Sequence, residues 1–154
     1  MRSMTALDHQ EVGRLAARTP TFTVPSRYVI WMLSSTQDGL CLVASRDEVD
    51  VVGYLLAIHT ATVSEIFVWQ LGVAEGSLTG ATAARELLTR FRELLLERRI
   101  SVARFTAAPG DAALGLCGLI REIFGVTPEL ETSATCSSAE GEHEYVVHLG
   151  EAGR

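Results

Sequence analysis

One stretch of the sequence, residues 66–99, changes its hydrophobic period halfway along, and this change limits what the chain can fold into. Ile66 to Val73 are mostly apolar and rich in β-branched and aromatic side chains, which predicts a strand buried on both faces. From Ala83 onward apolar residues recur every three or four positions, as in an amphipathic helix, at Ala84, Leu87, Leu88, Phe91, Leu94 and Leu95. The stretch therefore predicts a strand that runs into a long helix.

The predicted loop between this strand and helix, residues 74–82, has an unusual composition. It contains Gly76, Gly80 and two threonines, and no bulky side chain follows Leu78. Small residues let a ligand approach the backbone, and the free N–H groups of a helix's first turn can hold a phosphate. A nucleotide-like ligand is one interpretation. The other is an ordinary strand–loop–helix connection whose small residues serve close packing.

The segments on both sides complete a single domain that spans residues 1–154. Before the central strand, the pattern predicts a polar tail, a helix near 8–18, a short helix at 28–33 capped by Ser26, and paired strands at 40–45 and 51–59. After the long helix it predicts a strand at 101–107, a helix from a cap at Asp111 to about Phe124, and a closing strand at 145–149. A long loop at 126–141 leaves room for a short strand around 127–132.

Composition narrows the classes of function. The chain is 47% hydrophobic and 21% charged, as expected of a soluble globular protein, and shows neither a signal peptide nor a membrane span, so we expect a cytoplasmic location. A net charge of −6 opposes a general surface for nucleic acids. Three widely spaced cysteines, Cys41, Cys117 and Cys136, suggest neither a disulfide framework nor a metal site.

The order of elements and several short motifs resemble the GNAT acyltransferase superfamily, most closely the diaminobutyrate acetyltransferases of the ectoine pathway. The sequence Val68-Trp69-Gln70, followed by Val73, is similar to the central strand of those enzymes. Ser26, Tyr28 and the segment 52–54 are similar to the preceding elements, and 141–144 resembles their acidic segment near the carboxyl terminus.

This resemblance implies a fold and a co-substrate. The fold would be of the α/β (α+β) class, a mixed, mostly antiparallel sheet that is splayed open beside the central strand and flanked by helices. Acyl-coenzyme A, in particular acetyl-coenzyme A, would lie in the opening, with its thioester along Leu71 to Val73. Its pyrophosphate would bind the loop and helix start, where the candidate residues are Thr79, Gly80, Ala81, Thr82 and Ala83.

The sequence departs from that family at three points. Leu78 replaces a basic or amide residue of the phosphate loop and Ala81 replaces a glycine, so that Arg85 becomes a candidate source of positive charge. Cys117-Gly118 stands where many members have a catalytic tyrosine. The segment 23–25 lacks the aspartate that holds the diamine in the ectoine-type enzymes, which argues against diaminobutyrate as the acceptor.

Candidates for the remaining roles come from the acidic segment and the aromatic residues. Glu144, Glu142 and His143 are candidate bases that would take the proton of the attacking amine, and Glu65 is a weaker one. Tyr28, Trp69 and Glu142 are candidates for binding the amine. His59 and His148 fall in predicted strands and suit structural roles better than catalytic ones.

Three functions follow. The first is an N-acyltransferase that acts on the amine of a small molecule, such as an amino acid or a biosynthetic intermediate, and the resemblance implies a homodimer. The second keeps acyl transfer but takes the acyl group from a macromolecular donor, an acyl-tRNA or an acyl-carrier protein. The third is a catalytically silent binding module.

Overall fold

The computed structural model describes residues 1–18, 23–46, 50–74, 78–131 and 141–150. Within them lie four α-helices, a short 3-10 helix (Ala6–Asp8) and seven strands. The helices are α1 (His9–Ala16), α2 (Arg27–Thr36), α3 (Leu78–Glu97) and α4 (Asp111–Phe124). The strands are β1 (Arg2–Ser3), β2 (Leu42–Ser45), β3 (Val51–His59), β4 (Glu65–Val73), β5 (Val102–Ala107), β6 (Glu129–Leu130) and β7 (His143–His148).

All of the described strands form one sheet in the order β1-β2-β3-β4-β5-β7-β6. Only β4 and β5 pair in parallel, because α3 crosses over between them, and the other neighbours are antiparallel. The predicted mixed, mostly antiparallel sheet flanked by helices is therefore confirmed.

Helices α3 and α4 cover one face of the sheet. The predicted apolar stripe of α3 is buried throughout and packs on side chains from β3, β4 and β5. Phe91 of α3, Phe105 of β5 and Phe124 of α4 form two edge-to-face contacts, with ring centroids 6.5 and 6.3 Å apart. This arrangement is favourable for aromatic pairs and links three elements of the core.

Helices α1 and α2 cover the other face of the sheet, over its first strands. Ser26 caps α2 as predicted, because its hydroxyl oxygen accepts a hydrogen bond from the Val29 N–H at 3.2 Å. This second core is separate from the first and contains Val12, Leu15, Ile30, Leu33, Cys41, Val43, Tyr54 and Leu56. Burial raises the pKa of the Cys41 thiol to about 11, as expected for a core residue.

The structure corrects several local predictions. Helix α3 begins at Leu78 rather than near Ala83, because residues 79–82 continue the helical backbone although they carry no apolar stripe. Asp111 is the first residue of α4, and the capping position belongs to Gly110. The predicted polar tail contributes β1, which pairs with β2.

Strand β4 is buried less completely than its composition predicts. Its residues alternate between buried and half-buried along the whole strand, whereas the prediction was burial on both faces. Of the half-buried residues, Trp69, Leu71 and Val73 lie beyond Val68, the last residue of β4 that pairs with β5. Of the long loop, β6 is described, while Cys136 and residues 132–140 lie outside the described residues.

Candidate active site

The parallel strands β4 and β5 separate after four paired residues. Their register joins Glu65 with Val102 and ends where Val68 faces Phe105. Beyond that point β4 continues to Val73 and stays paired with β3 on its other side. The sheet is therefore open between the carboxyl ends of β4 and β5.

A cavity of about 260 Å³ occupies this opening. Its walls come from both separated strands, from the start of α3 and from α4. The described residues that line it are Val68, Trp69, Gln70, Leu71, Val73, Ala84, Phe105, Thr106, Ala107, Ala108, Ala112, Leu116, Leu119 and Glu142. Most of these side chains are apolar or small, so the cavity suits a slender and largely uncharged group.

The backbone of β4 is available to a ligand in this opening. The N–H of Ala74 donates to the Val52 carbonyl of β3 at 2.9 Å. Successive residues of a strand point their backbone groups to alternate sides, so those of Leu71 and Val73 point away from β3, toward the opening. Among the described residues no strand pairs with β4 on that side beyond Val68. Two residues predicted from the resemblance therefore present donors and acceptors to the cavity.

A β-bulge at Trp69 redirects the side chains of β4. Across β3, Leu56 faces Gln70 and Ala57 faces Val68, which leaves Trp69 as the extra residue. The bulge moves the side chains after it to the opposite faces. As a result, Leu71 and Val73 pack toward α3, while Gln70 lies on the side of α1 and α2.

Gln70 connects the cavity to the chain that enters α2. Its side-chain oxygen accepts a hydrogen bond from the buried Tyr54 hydroxyl at 3.1 Å, and its Nε2 donates to the Thr23 carbonyl at 2.8 Å. Burial raises the pKa of Tyr54, so this hydroxyl remains a donor at neutral pH. The segment before α2 is thereby held close to β4 at the edge of the cavity.

Two glycines near the cavity are required by close approaches. A Cβ on Gly72 would lie 2.3 Å from the Tyr54 ring. A Cβ on Gly80 would lie 2.0 Å from the Ala74 carbonyl oxygen, so the end of β4 passes directly against the first turn of α3. The small residues of the predicted loop thus serve packing as well as leaving the backbone accessible.

The first turn of α3 holds the other predicted cofactor-binding residues. Thr79 is half-buried, Gly80 and Ala83 are buried, and Ala81 and Thr82 are exposed. The exposed Arg46, at the end of β2, reaches this turn, and its Nη2 donates to the Thr79 hydroxyl at 3.2 Å. Arg85, the predicted source of positive charge, is instead ion-paired with Glu122 of α4.

The three acidic-segment candidates have different surroundings. Glu142 lines the cavity, whereas Glu144 and His143 are not among the described residues that line it. The buried carboxylate of Glu144 accepts a hydrogen bond from Arg104 Nη1 at 2.7 Å, and His143 is exposed.

Arg104 also brings Glu65, the weaker base candidate, into this cluster. Its Nε lies 3.0 Å from the Glu65 carboxylate, and its Nη1 lies 3.7 Å from that of Glu131. Hydrogen bonds from Arg104 to Glu144 and Glu65 raise the pKa of Arg104 above its ordinary value, so the guanidinium stays charged. The cluster ties together β4, β5, β7 and the residue that follows β6.

The remaining candidate, Tyr28, lies on α2 and is not among the described cavity residues. Its side chain is 66% exposed and packs beside Trp31, with ring centroids 5.7 Å apart. Among the predicted amine-binding residues, the structure therefore brings Trp69 and Glu142 together at the cavity and leaves Tyr28 outside it.

Other features of the described residues lie away from this site. A larger groove of about 600 Å³ runs between β1 and the outer side of α3, and Arg85 is the one candidate residue among the described residues that line it. The described residues contain no cluster of three or more potential metal ligands. No helix in the described ranges is long and apolar enough to cross a membrane.

Sequence reasoning missed three of these residues: Arg46, Gln70 as a polar link, and Arg104. For Gln70 a signal existed, because it is the one strongly polar side chain within residues 66–73. Arg46 and Arg104 act through contacts with residues 33 and 40 positions away, which no local pattern reveals.

No protein-family model matches the sequence, and no curated protein sequence matches it. Solved structures with the same fold are nevertheless numerous, and several of them are acetyltransferases. Diaminobutyrate acetyltransferase from Paenibacillus lautus, solved with L-2,4-diaminobutyric acid and coenzyme A, superimposes with a TM-score of 0.74 at 22% identity, over 96% of this chain and 93% of that one.

Two further solved structures are also similar to this chain in fold. Ard1 from Thermoplasma volcanium has a TM-score of 0.75 at 16% identity, over 96% of this chain and 95% of that one. The ribosomal-protein-S18-alanine N-acetyltransferase from Escherichia coli has a TM-score of 0.65 at 15% identity, over 99% and 94%. The protein therefore has the fold of the GNAT acetyltransferases, as the sequence resemblance implied.

Proposed function

We propose that this protein is an N-acyltransferase that transfers an acetyl group from acetyl-coenzyme A to the amine of a small molecule, such as an amino acid or a biosynthetic intermediate. The observation that carries the proposal is the opening between β4 and β5, where a narrow cavity meets the backbone edge of Leu71 and Val73. The fold shared with acetyltransferases, one of them solved with coenzyme A, supports it.

The residues of the opening fit the donor at its pantetheine arm. The apolar walls suit an uncharged chain, and the backbone groups of Leu71 and Val73 would bond its amides and hold the thioester carbonyl. The start of α3 would bind the pyrophosphate through the N–H groups of its first turn and the hydroxyls of Thr79 and Thr82. Two residues fit less well, because Leu78 offers the phosphates no hydrogen bond and Ala81 adds a methyl group where the backbone should approach closely.

Acyl transfer requires an unprotonated amine next to the thioester. The amine nitrogen forms a bond to the acyl carbon, the carbon–sulfur bond breaks, and the sulfur leaves as a thiol once it receives a proton. Backbone N–H groups of β4 would stabilise the negative charge that develops on the carbonyl oxygen. Holding both reactants in the opening supplies a further part of the acceleration.

Glu142 would accept the proton of the attacking amine as the general base, because this residue lines the cavity. Trp69 would form the apolar wall beside the acceptor. Glu144 and His143, the first candidates from the sequence, follow Glu142 at the start of β7, and the ion pair with Arg104 suits Glu144 to positioning that strand. Tyr28 would contact only an acceptor that extends out of the cavity toward α2. In keeping with the resemblance, we also propose a homodimer, which sedimentation analysis would test, and from the composition we propose a cytoplasmic location.

The direct test of the donor is calorimetric titration with acetyl-coenzyme A, and with desulfo-coenzyme A as a ligand that cannot react. We expect a dissociation constant in the micromolar range, equivalent to about −8 kcal/mol. Absence of binding up to millimolar ligand would overturn the proposal and direct the search to an acyl-tRNA or acyl-carrier-protein donor.

The test of Glu142 follows thiol release while a panel of primary amines, diamines and amino acids is offered as acceptors. With any amine that reacts, we expect Glu142→Gln to lower kcat by about 100-fold, as removal of a general base does. The affinity for desulfo-coenzyme A should not change. Glu129→Gln, an exposed carboxylate on β6, is the matched control and should retain full activity. Equal kcat values for both variants would contradict the assignment.

A further inference from the structure

We infer that Arg46 supplies the positive charge for the donor's pyrophosphate, a charge that the start of α3 does not provide. The inference rests on the proposed function, because it concerns how the same donor is held. It assigns a binding role to the residue that directly follows β2, outside the strand–helix segment where the sequence placed the whole phosphate site.

The first observation is the composition of the helix start. Residues 78–84 read LTGATAA and include no basic side chain. The next basic residue along α3, Arg85, is ion-paired with Glu122. A doubly charged pyrophosphate at this turn would therefore meet backbone N–H groups and two hydroxyls, but no cation from the helix itself.

The second observation is the placement of Arg46. Its guanidinium donates to the hydroxyl of Thr79, the second residue of α3, and its side chain is exposed. The ion pairs of the described residues engage several other arginines but not Arg46. A hydroxyl is a weak partner for a guanidinium, so exchanging it for a phosphate oxygen gains a charge-assisted hydrogen bond.

The third observation is that the backbone fixes where this arginine starts. The N–H of Arg46 donates to the Asp50 carbonyl at 3.0 Å, directly before β3 begins. The adjacent β3 accepts a hydrogen bond from Ala74, at the end of β4. The arginine thus stands beside the place where β4 gives way to α3, and the cavity reaches the same place at Val73 and Ala84.

The experiment compares Arg46→Gln and Arg46→Lys with the unmodified chain, by calorimetric titration with coenzyme A and with 3′-dephospho-coenzyme A. Since charge-assisted hydrogen bonds to phosphate are lost, we expect Arg46→Gln to raise the dissociation constant for both ligands about tenfold. Arg46→Lys keeps a point charge without the planar guanidinium group, so its dissociation constants should lie between those of the unmodified chain and Arg46→Gln. The salt dependence of binding should be shallower for Arg46→Gln. Because Arg46 is exposed, folding should be unaffected.

Arg99→Gln is the matched control, because it removes the same charge from an exposed position just beyond the far end of α3. Its dissociation constants should match those of the unmodified chain. Equal affinities for Arg46→Gln and Arg99→Gln would overturn the inference. So would a loss of affinity for coenzyme A without a loss for 3′-dephospho-coenzyme A, because that result would place Arg46 at the 3′-phosphate. Failure of the unmodified chain to bind coenzyme A would instead overturn the proposed function.

Discussion

Two buried carboxylates, one in each half of the sheet, are neutralised in different ways. Asp8 belongs to the first half (β1–β4), where Arg2 contacts both of its oxygens at 2.8 and 2.6 Å and the Thr5 N–H donates at 2.7 Å. Glu144 belongs to the second half (β5, β7 and β6), where Arg104 is shared with Glu65 and Glu131.

The difference lies in how far along the chain the partners come from. All of the Asp8 partners lie within six residues, so this site can form as soon as β1 and the 3-10 helix do. The Arg104 cluster forms only when β4 of the first half has assembled with three segments of the second half: β5, β7 and the residue that follows β6. Formation of the Asp8 site therefore depends on local structure, whereas formation of the Arg104 cluster depends on assembly of the strands around the opening.

The largest expected loss of stability comes from a substitution of Phe105, which lies where the two halves of the sheet meet. This residue faces Val68 in the last pair of β4 and β5 and contacts both Phe91 and Phe124. Phe105→Ala should lower the free energy of unfolding by about 3–5 kcal/mol, measured by urea denaturation. Leu114→Ala, at a position 72% exposed on α4, should change it by less than about 0.5 kcal/mol. Similar losses for the two variants would mean that Phe105 does not join the halves.

Breaking the cluster of the second half should have an intermediate effect. Arg104→Met leaves the buried Glu144 carboxylate without its guanidinium, but the side chains of the cluster are partly exposed and water screens them. We therefore expect a loss of about 1–3 kcal/mol at pH 7 by urea denaturation. Glu129→Gln, outside the cluster, should leave stability unchanged. A loss below about 0.5 kcal/mol for Arg104→Met would show that the cluster contributes little to the assembly of these strands.

The smallest effect should come from the local site of the first half, and it should depend on pH. Burial alone would raise the pKa of Asp8, but hydrogen bonds from Arg2 and Thr5 outweigh it, so the pKa is lowered from 3.8. Since the folded pKa is the lower one, this stability is present above the unfolded pKa and is lost as pH falls through the folded pKa. Asp8→Asn should cost about 1 kcal/mol at pH 7.

The difference between Asp8→Asn and the unmodified chain should narrow below about pH 4, where the carboxylate of the unfolded chain begins to take up a proton. Denaturation measured from pH 7 down to pH 2.5 would show this. A difference that stays constant over the whole range would mean that the charge of Asp8 is not what stabilises the site.

The order of helices and strands could be predicted because hydrophobic period is a local property. The stripe of α3 and the run of β4 both follow directly from side-chain spacing. Helix α3 starts earlier than its stripe, because Gly80 and its small neighbours carry no periodic signal. The two-residue strand β1 was missed for the same reason, since Arg2 and Ser3 contain no pattern to recognise.

Four of the residues predicted for the candidate site line the cavity: Trp69, Leu71, Val73 and Glu142. Leu71 and Val73 followed from the resemblance, and the structure places both at the opening. The bulge at Trp69 could not be foreseen, because it depends on the register with β3. The contacts of Arg46 and Arg104 join distant segments, so they appear only once the sheet is assembled.

A ligand that binds in the opening between β4 and β5, as proposed above, would also raise the stability of this protein. The edge at Leu71 and Val73 forgoes the hydrogen bonds that a neighbouring strand would provide, so a bound molecule that bonds to this edge completes the sheet. A ligand present at 100 times its dissociation constant adds about 2.7 kcal/mol to the free energy of unfolding by mass action. Such an increment is a large share of the stability of a typical domain. The lifetime of the folded chain in a cell would then increase and decrease with the concentration of the ligand that binds in this opening.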